Sequence, residues 1–176
     1  MTHASALAMA PGGHAPESHV PVFTGETRKQ LDELLTRYPT KMAALLPALW
    51  LVQDSRGWVS DGSMAEVAEL LDLTPAYVKG VVTFYYMYHQ HPVGRYFIQV
   101  CTTSPCGICG AEDVVQALLK ETRCGELGTT SPDGKFTVIE VECLGACGFA
   151  TPIMVNSEFI ESVTADGVSA LLARFE

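Results

Sequence analysis

The sequence contains no run of about eighteen apolar residues, so nothing in it predicts a membrane-spanning helix. Positive charge is scarce: 11 Lys and Arg stand against 20 Asp and Glu, for a net charge of −9. A nucleic-acid binder carries the opposite imbalance, so that class is disfavoured from the outset. The first twenty residues hold no Lys or Arg ahead of an apolar stretch, which excludes a secretory signal and makes the cytoplasm the expected compartment. No internal repeat occurs, and no glycine-rich nucleotide fingerprint is present. Charged residues of all kinds make up only 18% of the chain against 48% hydrophobic, so part of the surface is expected to need a partner.

What the chain does have is cysteine. With 176 residues it is long enough to bury about two-thirds of its unfolded surface without a disulfide framework. Six cysteines in a reducing compartment therefore point to metal, cluster or redox chemistry.

Residues 1–22 are rich in Ala, Gly, Pro and His without periodicity and read as a disordered tail, with His3, His14 and His19 solvated rather than ligating. Residues 23–90 read as a small helical bundle. Leu31, Leu34, Leu35 and Tyr38 mark a first helix, and Met42, Leu45, Leu46, Leu49 and Val52 a second. Pro47 predicts that the second helix is kinked or starts later than Met42. Ser63 and Glu66 suggest a capping box for a third helix, and Thr74-Pro75 an N-cap and first position for a fourth. Trp50, Trp58 and the methionines are expected to be packing material. Residues 91–176 change character: strands at Tyr96–Val100 and Phe136–Val141, a helix at Ala111–Glu121, a Ser131–Gly134 turn, a hairpin around Asn156-Ser157 and a closing helix from Asp166 to Phe175. The expected class is α+β, a helical bundle followed by a sheet covered by helices.

Four of the cysteines fall into two pairs, each just after a predicted strand: Cys101 with Cys106, and Cys143 with Cys147. Loops at one end of a sheet could bring four thiolates together, a donor set that suits an iron–sulfur cluster or a zinc ion. A [2Fe–2S] centre takes two ligands per iron, which a two-plus-two arrangement supplies. Gly107, Gly110, Gly145 and Gly148 flank the cysteines and allow backbone N–H groups close to sulfur. Neither loop carries Lys or Arg, so a low potential is expected, near the roughly −400 mV of plant-type ferredoxins.

From about Phe23 to Phe175 the sequence resembles the thioredoxin-like [2Fe–2S] subunit family of NADH dehydrogenases. The resemblance rests on Pro92-Val93-Gly94-Arg95-Tyr96, Ile98-Gln99-Val100-Cys101-Thr102, Cys106 with Gly110, Val141-Glu142-Cys143-Leu144-Gly145-Ala146-Cys147-Gly148, and Asn156. Gly80-Val81-Val82-Thr83-Phe84-Tyr85 adds to it in the helical part. It implies a thioredoxin-like domain over 91–176 and one [2Fe–2S] cluster per chain on Cys101, Cys106, Cys143 and Cys147. It also implies an FMN- and NADH-binding flavoprotein partner, with both of those cofactors held by the partner alone. The helical part is the expected clamp on that partner, with Phe84, Tyr85, Tyr86 and Tyr88 as candidate contacts. No catalytic residue is expected on this chain, which would exchange one electron with the flavin as a subunit of the complex. The complex would be membrane-bound, with this chain in its peripheral arm. Two departures from the family pattern stand out: Thr151 occupies the place of a proline, with Pro152 one position beyond, and Cys109 is an added cysteine.

Rival readings use the same residues. Cys101, Cys106 and Cys109 have the spacing of a plant-type ferredoxin, which would leave Cys143 or Cys147 spare. Cys106-Gly107-Ile108-Cys109 also fits a dithiol oxidoreductase, and the four paired cysteines fit a structural zinc. Residues 66–84 resemble a helix-turn-helix, but that reader would present only Lys79 to phosphate. Cys124 reads as an unligated thiol, and His89 and His91 as ordinary residues. The equivalent subunits of NAD-linked hydrogenases and formate dehydrogenases remain alternatives to the respiratory complex. Monomer and homodimer both stay open for the isolated chain.

Overall fold

The computed structural model describes residues 20–175. Most of the expected tail, including His3, His14 and His19, lies outside the described residues. By its contacts the chain divides into two compact units, Met1–Gln90 and His91–Glu176, and each has its own apolar core.

The first unit is helical: α1 (Gly25–Leu35), a 3-10 turn (Lys41–Ala44), α2 (Leu45–Arg56), α3 (Asp61–Leu70) and α4 (Pro75–Phe84). Pro47 does delay the second helix; α2 begins at Leu45, so the proline falls in the first turn, where its missing N–H costs nothing. Thr74 caps α4 as expected, accepting from the Tyr77 N–H, with Pro75 next. The expected capping box on α3 is wrong. Ser60 is the N-cap, its hydroxyl accepting from the Ser63 N–H, and Ser63 lies inside the helix. Glu66 is used elsewhere, accepting the backbone N–H groups of Val22 and Phe23 at 2.8–3.1 Å. Val22, placed in the tail by sequence, is accordingly buried in the core. Leu31, Leu49, Val52, Val67, Val78 and Val82 fill that core. Trp50 and Met42 do not belong to it: they are 39% and 53% exposed, because Leu49 and Val52 occupy the inward positions of α2. Buried Gln53 ties the chain beyond α4 to α2, donating to the Met87 carbonyl and accepting from the His89 N–H, both at 2.7 Å. Tyr88 is buried too, and its hydroxyl donates to the Leu46 carbonyl at 2.8 Å.

The second unit carries a four-stranded sheet in the order β2-β1-β3-β4, with β1 at Tyr96–Cys101, β2 at Phe136–Val141, β3 at Ile153–Val155 and β4 at Glu158–Ile160. β1 and β2 are parallel; β3 is antiparallel to β1 and to β4. The crossover between the parallel strands holds α5 (Ser104–Ile108) and α6 (Ala111–Thr122), and α7 (Val168–Leu172) packs beside α6. The closing helix is shorter than expected, with single 3-10 turns at either end. Ile98, Val100, Val114, Leu118, Val138 and Ile153 form the core between sheet and helices.

Two contacts fix the end of the sheet at which β1 and β2 begin. A Cβ on Gly94 would stand 2.6 Å from the Phe136 carbonyl carbon, and the Gly94 N–H donates to the Thr137 hydroxyl at 2.8 Å. Asn156, in the left-handed region at φ 52°, accepts from the Phe97 N–H and donates to the Arg95 carbonyl. Gly94→Ala is expected to lower stability by about 1–3 kcal/mol through overpacking against backbone. Urea unfolding of the full chain checks this; an unchanged midpoint would show that the Gly94 approach is not required.

Candidate metal centre

The parallel register sets Cys101, the last residue of β1, opposite Val141, the last residue of β2. The chain therefore leaves both strands at the same end of the sheet, and both cysteine-bearing segments start there. After Cys101, Thr102 and Thr103 lead into α5, a five-residue helix with Pro105 in its first turn and Cys106 at its centre. This helix is too short to show a period, and Ser104-Pro105 is its one local signal. Its effect is to turn Cys106 inward: Cys101 is 2% and Cys106 1% exposed, and their sulfurs lie 3.3 Å apart.

The second segment follows β2. Cys143 and Cys147 are exposed, and Cys147 opens a single 3-10 turn that ends at Phe149. Gly145, at φ 76°, donates its N–H to the Cys143 sulfur at 3.3 Å. Of the four flanking glycines, this is the one that makes the expected amide–sulfur bond; a side chain at that φ would be strained. Leu144 and Ala150 from this segment pack against Cys101, Cys106 and Ala111. Among the described residues no three His, Cys, Asp or Glu side chains converge on a single metal-ion position. The structure closes one thiol pair, Cys101 with Cys106, and holds Cys143 and Cys147 on the neighbouring loop.

Burial works to raise the Cys101 thiol, but amides of Thr103 and Leu144 and hydrogen bonds from Cys106 and the Thr103 hydroxyl outweigh it and hold it below its usual value. Cys106 is pushed up to about 11 by burial first, then by its bond to Cys101 and the negative charge of Cys101, Cys147 and Cys109. The Cys106 thiol thus keeps its proton and donates it toward the Cys101 sulfur. Glu140, near the end of β2, is raised by burial and by the charge of Glu112 at the start of α6. The surroundings of the loops are acidic as well as free of Lys and Arg.

The remaining thiols take other positions. Cys109 is exposed just after α5, while Cys124 is buried in the sheet core with its sulfur 3.5 Å from the Phe136 carbonyl. His89 meets Gln53 through its backbone N–H. Sequence reasoning named Thr151 only as a departure from a pattern, although it is buried, next to Ala150, which packs on the thiol cluster. Nothing in the sequence marks that burial, which depends on the pairing of β3 with β1.

Four thiols on two adjoining loops, one amide already bonded to sulfur and an apolar lining fit a thiolate-ligated centre. NADH-quinone oxidoreductase subunit 2 of Thermus thermophilus is 40% identical over 154 residues, covering 86% of this chain and 84% of that one. A subunit of the NADH-quinone oxidoreductase of Pseudomonas aeruginosa is 38% identical over 154 residues, covering 88% and 92%. A crystal structure of an NAD+-reducing [NiFe]-hydrogenase in the H2-reduced state shares the fold at a TM-score of 0.64 and 21% identity, over 75% of this chain and 22% of that chain. The model of one family, the thioredoxin-like [2Fe–2S] ferredoxins, matches residues 31–176, and the chain belongs to that family.

Proposed function

We propose that this chain is the electron-transfer subunit of an NADH–quinone oxidoreductase and holds one [2Fe–2S] cluster on Cys101, Cys106, Cys143 and Cys147. The observation that carries the reading is the meeting of two thiol-bearing loops at the shared end of β1 and β2, with Cys101 and Cys106 already 3.3 Å apart. The relatives named as subunits of NADH–quinone oxidoreductases support the choice of complex. The hydrogenase likeness extends only to the fold.

When bound, the cluster supplies a one-electron store. The chain's own residues do the rest. Cys101 and Cys106 give the buried side of the ligand set, and Cys143 and Cys147 the exposed side. The Gly145 amide donates toward sulfur, while Leu144, Ala150 and Ala111 keep water from the buried pair. Loops without Lys or Arg, together with Glu140 and Glu112, favour a low potential. Ile108, at the end of α5, and Phe149, two residues beyond Cys147, are 87% and 57% exposed and offer apolar surface beside the thiols to a docking partner. That partner is the flavoprotein that binds NADH and FMN. On the helical unit Phe84 and Tyr86 are 73% and 70% exposed and remain candidate contacts for it, whereas Tyr88 is excluded by its burial. No helix among the described residues is long and apolar enough to cross a membrane. The chain takes its place in the peripheral, cytoplasmic arm of the membrane-bound complex.

Anaerobic purification is expected to yield a coloured protein with two irons and two sulfides per chain and an EPR signal after dithionite; a colourless protein with one zinc would overturn the cluster. In the same preparation Cys101→Ser, Cys106→Ser, Cys143→Ser and Cys147→Ser should each lose iron or change the reduced spectrum. Cys109→Ser and Cys124→Ser should keep both, and loss of the cluster in Cys109→Ser would favour the rival ligand set. The isolated chain should not oxidise NADH, and electrons from NADH should reduce its cluster only after the flavoprotein is added. NADH oxidation by the chain alone would contradict the assignment of NADH and FMN to the partner.

A further inference from the structure

Thr151 is 1% exposed and its hydroxyl has no hydrogen-bond partner; among the described residues it is the only buried side-chain polar atom in that position. A buried hydroxyl without an acceptor gives up its hydration for nothing, and nearly all such atoms in folded proteins are paired. A valine would fill similar space without that loss. The sequence nonetheless places a hydroxyl here.

The residues on either side of Thr151 both touch the thiol cluster. Ala150, on one side, packs on Cys101, Cys106 and Ala111. Pro152, on the other, accepts the Cys101 N–H at 3.3 Å, continuing the pairing of β3 with β1. The Thr151 carbonyl is itself engaged by the Val163 N–H at 2.9 Å, which anchors the residue. An acceptor absent from the polypeptide but present in the loaded protein would complete the arrangement.

We propose that the Thr151 hydroxyl donates a hydrogen bond to a sulfur of the [2Fe–2S] centre, either a cysteinyl sulfur or a bridging sulfide, and raises the potential of that centre. The inference rests on the cluster reading given above. An added electron makes the sulfurs more negative and strengthens a bond donated to them, so the donor favours the reduced state. With no Lys or Arg on either loop, this hydroxyl and the Gly145 amide are among the few groups able to oppose the acidic surroundings.

The test is a redox titration of the full-length, cluster-loaded chain, followed by visible absorption and EPR. Thr151→Val is expected to shift the reduced-to-oxidised ratio at fixed potential about tenfold toward the oxidised form, a fall of about 59 mV for one electron. Thr151→Ser should restore the wild-type value. Thr151→Ala removes the donor in a second way and should fall as the valine variant does, should valine weaken cluster retention. Equal potentials in the wild type and both donor-free variants, at equal iron content, overturn the inference and leave the cluster reading intact. A wild-type chain that takes up no iron and sulfide overturns both.

Discussion

The parallel pairing of β1 with β2 is the constraint on which the rest of the second unit depends. Parallel strands put their C-terminal ends together, and here those ends deliver the two cysteine-bearing segments. The pairing must also be in the right register, since a slip of one residue turns every side chain of a strand to the opposite face. The register is fixed at the far end, where Gly94 lies against the Phe136 backbone, and along β1 by Asn156. Residues some distance in sequence from any cysteine thereby decide where the Cys101 sulfur stands.

Bringing thiols together has an electrostatic cost that the local backbone meets only in part. Burial opposes ionisation of both Cys101 and Cys106, and neighbouring thiols oppose it further at Cys106, while the amides of Thr103 and Leu144 and the Cys106 thiol favour it at Cys101. Cys106 keeps its proton as a result. A thiolate-ligated centre requires that proton to leave, so binding of metal is coupled to its release and weakens as pH falls. The amide donors and the hydrophobic lining do not remove this coupling, but they hold the sulfurs together at the end of the sheet.

Much of this architecture could be read from the residues. Thr74-Pro75, the Ser131–Gly134 turn and the alternation of Phe136–Val141 are local signals, and local backbone preferences were enough to place them. The misreadings have a common physical origin in contacts distant along the chain. Glu66 looks like half of a capping box, but its carboxylate serves Val22 and Phe23, forty-odd positions earlier. Ser60 and Ser63 are both good caps by type, and the three-residue difference is settled by packing of α3. Trp50 is hydrophobic, yet the inward face of α2 was already occupied. At the centre, cysteine spacing identified the two loops; the five-residue α5 that turns Cys106 inward and the burial of the Thr151 hydroxyl left no periodic trace.

The six cysteines show how far backbone context governs one side chain. Cys124 behaves as a small apolar residue with a weak S–H donor, directed at a strand carbonyl. Cys109 stands in solvent after α5, outside the Cys101–Cys106 contact. Cys101 and Cys106 face each other in an apolar pocket, and Cys143 receives an amide from a glycine that only a left-handed turn could aim there. A dithiol exchanger would need a partner for Cys106 at Cys109, on the same short helical turn; the sulfur that Cys106 meets belongs to the end of β1. That choice of partner binds the chemistry to the sheet register, and it is why a change at Gly94 and a change at Cys106 bear on the same centre.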